Sequence, residues 1–167
     1  MPEDRQTRTA TRRPLSRSGG SVYSLSESET LELGRALGRQ LAGGDLVLLE
    51  GPLGAGKTAF ARGLAAGLGI SPDEVCSPSF TLVQEYGGGR VPMFHVDLYR
   101  IERIDEIETL GLEELLGAGA VVVIEWGERL PRALCRGALT VRLHDIGEAA
   151  RRIEVLEQPA EPSTLDH

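Results

Sequence analysis

A chain of 167 residues, 41% hydrophobic and 26% charged, is long enough to bury one core without disulfides or metal staples and has an ordinary globular make-up. No apolar stretch approaches the roughly 20 residues of a membrane span, so neither a spanning helix nor a secretory signal is expected, and the cytoplasm is the expected compartment. The net charge of −7 is uneven: five arginines against two acids give residues 1–20 a charge of +3, and the acidic remainder argues against a protein that grips nucleic acid with its whole surface.

Residues 1–20 lack hydrophobic periodicity and end in SRSGG, the pattern of a disordered arginine-rich leader. The domain proper is expected over 21–157, with the polar run QPAEPSTLDH making 158–167 a flexible tail. Ser26 followed by Glu29 has capping-box spacing; Leu33, Leu37 and Leu41 then share one helical face until Gly43 and Gly44 supply a stop. DLVLLE is a short continuous apolar run, which suits a strand covered on both faces. A glycine-rich stretch follows, and Phe60, Leu64 and Leu68 repeat every four residues until Gly69 closes a second helix. FTLVQEY and VPMFHVD alternate on either side of GGGR and predict an antiparallel hairpin. RIDEIETLGLEELLG reads as helix with a glycine break, and AVVVIEW as a central strand. ALTVRLHDI and RRIEVLE close the domain as two strands. This order predicts an α/β fold, a single P-loop NTPase-like domain whose mixed, mostly parallel sheet carries helices on both faces. Cys76 and Cys135 are far apart, with no CxxC or Cys/His cluster, and read as buried or incidental thiols.

Gly51, Gly56, Lys57 and Thr58 satisfy G-x-x-x-x-G-K-[ST] between a predicted strand and a predicted helix. Gly51, Gly54 and Gly56 allow the backbone to curl so that its N–H groups face phosphate oxygens, ahead of the positive end of the helix. Lys57 is the single lysine among 18 basic residues. Its compact ammonium enters a loop wrapped around phosphate where a planar guanidinium does not fit. The nucleotide-contacting stretch is therefore Gly51, Gly54, Ala55, Gly56, Lys57, Thr58 and Ala59, with a nucleotide and Mg²⁺ as the expected ligands. Asp97 and Glu125 end predicted strands, where ligands of open α/β sheets lie. With Thr58 they are the expected Mg²⁺ ligands, and with Lys57 the expected catalytic residues; spacing leaves open which acid holds metal and which orients water. Trp126 is an expected nucleotide or switch contact. His95, on the strand face of Asp97, reads as a hydrogen-bonded packing residue.

The chain has no asparagine and hence no N-K-x-D element to read guanine, and no lid-like insertion rich in arginine stands out. An ATPase that acts on a partner is the leading reading, with CSPSFTLVQEY suited to move with the γ-phosphate. A nucleotide-gated binding module and a small-molecule kinase are the alternatives.

GPLGAGKTAF, SPSFTLVQEY, FHVDLYR, LGLEELL and VVVIEWGERLP, in this order between roughly Ser26 and Pro131, closely resemble the TsaE family, the ATPase components of bacterial tRNA threonylcarbamoyladenosine synthesis. H-x-D-x-Y-R and the E-W pair are unusual among P-loop proteins and make the resemblance more specific than the loop alone. It implies binding of ATP and Mg²⁺, slow hydrolysis by the isolated protein, and action with TsaB and TsaD, reaching tRNA through that complex. The family's loop lysine and threonine match Lys57 and Thr58, its strand-end aspartate matches Asp97, and its metal-associated glutamate and neighbouring tryptophan match Glu125 and Trp126. Its switch-like segment matches Ser77 to Thr81, and its adenine would lie near SESET, with Thr30 as a contact. Pro52 stands where the family usually carries an acid, and Ser79 replaces the usual threonine. Neither departure removes a phosphate or metal ligand, so binding is expected to survive both.

Overall fold

Leu46–Glu50 (β2) sends Val47 and Leu49 into one buried cluster and Leu46 and Leu48 into another, and Val121–Glu125 (β5) divides in the same way, Val121 and Val123 against Val122 and Ile124. A strand covered on both faces has no polar side to show, which is why neither run alternates. The computed structural model describes residues 15–78 and 82–157. Five further strands complete the sheet: Gly20–Ser24 (β1), Val83–Tyr86 (β3), Met93–Asp97 (β4), Leu139–Asp145 (β6) and Arg151–Glu157 (β7). Their order is β1-β7-β6-β2-β5-β4-β3. Parallel pairings hold the centre, β2 with β5 and β6, and β5 with β4. Antiparallel ones finish both sides, including the expected β3–β4 hairpin.

Helices Glu27–Gly38 (α1) and Lys57–Gly67 (α2) bury Leu33, Leu37, Phe60 and Leu64 on one face of the sheet. The short helices Ile104–Glu108 (α3) and Leu112–Gly117 (α4) bring Ile107 and Leu112 to the other. The glycine break between them is Gly111, at φ +65°. Ser26 Oγ accepts the Glu29 N–H at 3.1 Å, while the Glu29 carboxylate accepts the Leu25 N–H at 2.6 Å, so the expected cap forms with its return bond one residue early. Helix α1 ends at Gly38, short of the expected stop at Gly43. Beyond it the coil tightens into three-residue turns at Gln40 and Leu41. Arg90, from the β3–β4 hairpin, donates to the carbonyls of Gly38 and Leu41 at 3.0 and 3.1 Å. Leu41 is still buried at 2% exposure, and for that reason it fits the helical periodicity without being helical.

Sequence periodicity missed the glycines that join α1 to α2. Gly34 and Gly38 face Gly63 and Gly67, and a Cβ on any of the four would collide with a carbonyl oxygen of the opposite helix: Phe60, Leu64, Leu31 and Arg35 respectively. The backbones are therefore in direct contact.

Of residues 15–20, read from composition as part of the leader, Leu15 is buried and Ser16, Arg17 and Gly19 are half-buried. Leu15 is 2% exposed within the core, and Arg17 donates to the Gln40 carbonyl at 3.1 Å and to Asp45 at 3.0 Å. One leucine with a slot in the core outweighs a polar, glycine-rich neighbourhood, and composition cannot register that. The expected leader over 1–14 and tail over 158–167 lie outside the described residues. Among the described residues no helix is long and apolar enough to cross a membrane. Cys76 is exposed and Cys135 half-buried, and both are free thiols.

Substituting Gly63→Ala is expected to lower stability by about 2 kcal/mol, the cost of overpacking a rigid contact. Urea unfolding should show the midpoint falling at unchanged slope. Gly117→Ala, with nothing within 4 Å of the added carbon, should hold or raise the midpoint.

Candidate functional site

The loop from β2 to α2 passes through Gly51, Gly54 and Gly56 at φ of +150°, +78° and +96°, a region that residues with a Cβ rarely enter. Lys57, at 5% exposure, folds back under the loop. Its Nζ donates to the carbonyls of Gly51 at 2.5 Å and Pro52 at 2.9 Å and lies 3.9 Å from the centre of the Trp126 ring. Two carbonyls and an aromatic face enclose a point charge closely. Burial pushes the Lys57 pKa down, against the pull of Glu128, Glu125 and Asp97.

Strands β4 and β5 run in parallel with Asp97 opposite Glu125, so both acids arrive at the same edge of the sheet. Each is nearly buried, at 5% and 3% exposure, and a carboxylate so placed requires partners. Glu125 accepts from Thr58 Oγ1 at 3.1 Å and meets His95 Nε2 at 2.5 Å. His95 Nδ1 is buried without a hydrogen-bond partner, which favours the tautomer whose proton sits on Nε2 and points at Glu125. Asp97 accepts from Ser77 Oγ at 3.2 Å and from the Tyr99 N–H at 2.9 Å.

These groups border a cavity of about 460 Å³. Of the residues singled out from sequence, Thr30, Gly54, Gly56, Lys57, Thr58, Ala59, Asp97, Glu125 and Trp126 line it. Gly51 and Ala55 stand behind the lining: the Gly51 carbonyl seats Lys57, and Ala55 is buried with its carbonyl bonded to Arg151. Thr30 faces the cavity while its hydroxyl bonds to the Ser26 carbonyl at 3.1 Å and to Ser24 Oγ at 2.7 Å. Of the expected switch segment, Ser79 to Thr81 lie outside the described residues; Ser77 is held on Asp97.

Thr58, Glu125 and Asp97 form an all-oxygen donor set, which fits Mg²⁺. Among the described residues no group of three His, Cys, Asp or Glu side chains could hold a metal.

His95 is the hydrogen-bonded packing residue that the sequence suggested, on the expected strand face; its partner, Glu125, depends on which strand lies next to β4. Sequence reasoning missed other contributors. Tyr99 stacks on Trp126 at 5.1 Å between centroids, with Arg129 over both rings. Arg151 reaches the loop from β7, and nothing in its local sequence marks it.

The description "Threonylcarbamoyl adenosine biosynthesis protein TsaE" matches residues 24–153. A protein of Treponema pallidum named tRNA threonylcarbamoyladenosine biosynthesis protein TsaE is 40% identical over 132 residues, which are 79% of this chain and 96% of that protein. One of the same name from Mycobacterium tuberculosis is 40% identical over 155 residues, 85% and 91% of the two chains. The crystal structure of Bacillus subtilis YdiB is similar with a TM-score of 0.64 at 30% identity, covering 82% of this chain and 84% of that one.

On the far side of the loop, desolvation pushes the Glu128 carboxyl above its ordinary value of 4.5, outweighing the pull of its own backbone N–H, Lys57 and Arg129, and Glu50 adds to the rise. The folded protein then holds this proton more tightly than the unfolded chain, so the stability contribution is full below 4.5 and declines as pH rises through the elevated value. Glu128→Gln has no such proton. Urea unfolding across a pH series should show its stability relative to the parent improving from pH 4.5 upward.

Proposed function

The chain belongs to the TsaE family, and on that premise we propose that it is a Mg²⁺-dependent ATPase that supports threonylcarbamoyladenosine modification of tRNA by acting on a TsaB/TsaD-type complex. The observation that carries this reading is the Thr58–Glu125 hydrogen bond at the mouth of a glycine loop, with Asp97 on the adjacent strand.

The loop N–H groups and the first turn of α2 bind the phosphate oxygens, because the first N–H groups of a helix have no acceptor within it. Lys57 exchanges its two carbonyl contacts for β- and γ-phosphate oxygens and stabilises the charge that develops there. Thr58 and Glu125 would hold Mg²⁺, which would supply positive charge to the phosphate chain. Asp97, fixed by Ser77 and the Tyr99 amide, orients the attacking water. Trp126 and Tyr99 cover the site and limit the access of bulk water. Hydrolysis resets the partner complex between modification cycles.

Turnover of ATP and formation of threonylcarbamoyladenosine, each measured with and without TsaB and TsaD, test the reading. Lys57→Ala is expected to reduce hydrolysis by about a hundredfold or more, on the scale of removing one preorganised donor to a developing charge. Lys57→Arg should fail nearly as badly, since a compact ammonium enters a loop wrapped around phosphate where a planar guanidinium does not fit. Parental rates in either variant would sink the assignment. An uncleavable ATP analogue that sustained many rounds of modification would replace the motor with a gate, and phosphate found on an added metabolite would make the protein a kinase.

Trp126 supplies a direct signal. Mg-ATP should draw the Lys57 ammonium off the ring and change the indole emission, and a spectrum unmoved by saturating nucleotide would remove Trp126 from the site.

A further inference from the structure

A loop that aims successive N–H groups at an anion turns its carbonyls the other way, and each of those carbonyls needs a donor. Gly51 and Pro52 have theirs in Lys57 Nζ, and the Gly56 carbonyl accepts from the Phe60 N–H at 2.9 Å within α2. Gly54 and Ala55 are served from outside the motif. Arg151, the first residue of β7, donates Nη2 to the Gly54 carbonyl at 3.0 Å and Nε to the Ala55 carbonyl at 2.9 Å. Its Nη1 donates to Asp145 Oδ1 at 3.1 Å and to the Ala150 carbonyl at 2.8 Å. The guanidinium is thus locked between the loop and the turn that joins β6 to β7, with four of its five N–H groups engaged and its side chain 15% exposed.

We propose that Arg151, held by Asp145, is a positioning residue: it fixes the Gly54–Ala55 peptide, whose N–H closes on the Pro52 carbonyl at 3.1 Å, and the Ala55–Gly56 peptide, whose N–H is thereby turned toward the phosphates. The β6–β7 hairpin is then an outside brace of the nucleotide site. Arg151 borders the cavity, but its donors are committed to protein oxygens, so it acts through the loop. A planar fork spans two neighbouring carbonyls at once, and a lysine ammonium in its place reaches one or the other. The inference rests on the nucleotide reading above and adds to it a residue that the loop motif does not contain.

The test is equilibrium binding of Mg-ADP to the full chain by titration calorimetry, paired with amide exchange of the nucleotide-free protein. Arg151→Met should weaken binding about tenfold or more, the scale of losing hydrogen bonds from a charged donor, and Arg151→Lys should do little better. Asp145→Asn should weaken binding severalfold, and Asp145→Asn combined with Arg151→Met should be no worse than Arg151→Met alone, because Asp145, which also accepts the Gly147 N–H at 3.0 Å within its own turn, reaches the loop through the arginine. Exchange in Arg151→Met should accelerate at the loop amides of Gly54 to Lys57 and stay parental in α1 and β5. Mg-ADP affinity within twofold of the parent in Arg151→Met, with binding abolished in Lys57→Ala, would overturn the brace and leave the nucleotide reading standing. Exchange accelerated throughout the chain would reduce Arg151 to a general structural residue, and additive losses in the double variant would remove Asp145 from the brace. A parental protein that bound no nucleotide would overturn both readings together.

Discussion

The hydrogen bond from Thr58 Oγ1 to the Glu125 carboxylate ties the first turn of α2 to the end of β5, and the other groups of the site are arranged around it. A carboxylate that is nearly buried is stable only when its oxygens are met by donors. Thr58 meets Glu125 from the helix and His95 meets it from β4, so the acid is a junction of three elements. Because β4 lies beside β5 in parallel register, Asp97 reaches the same edge, where an open α/β sheet presents its ligand crevice. Two acids and a hydroxyl are thereby gathered from three separate stretches of chain.

Holding α2 at the angle that points Thr58 toward Glu125 is the task of its neighbours. The glycine contact with α1 brings the two backbones together, and the same approach carries Thr30 into the cavity wall. On the opposite side the loop rests on β6 and β7: a Cβ at Gly51 would collide with the Leu143 carbonyl, and one at Gly56 would lie 3.8 Å from Arg151 Nε. Helix and loop are thus wedged between α1 and the outer strands. The proposed binding of phosphate calls for this rigidity, because N–H groups that must reorganise around a ligand lose part of the binding energy.

Family membership explains the motif order, and the departure at Pro52 has a physical account. What position 52 contributes to the loop is a carbonyl, which accepts from the Lys57 ammonium at 2.9 Å and from the Ala55 N–H at 3.1 Å. Any residue type supplies that oxygen. The proline ring borders a second cavity of about 300 Å³ on the other side of the loop, shared with Glu50, Trp126, Glu128 and Arg142. Glu50 and Glu128 already place acids there, so an uncharged side chain at 52 leaves the seat of Lys57 intact and spares Glu128 a further like charge.

Local patterns carried much of this protein. The strand runs, the glycine loop, the hairpin around GGGR and the strand-end acids were legible because each depends on residues close in sequence, whose periodicity or turn chemistry suffices. The helix-joining glycines were not, since a glycine within a helix looks the same whether it faces solvent or another backbone. Leu15 was not, since burial of one leucine depends on a core assembled from distant strands. The sequence alone therefore determined that a glycine-rich loop stands between a buried strand and a helix, with Lys57 as its only ammonium. The tertiary structure decided what surrounds that loop: His95 on Glu125, and Arg151 on the carbonyls of Gly54 and Ala55, 97 and 96 residues away. Those partnerships are fixed by strand order and register, which are set by how the whole sheet closes its core and are written in no local stretch of chain.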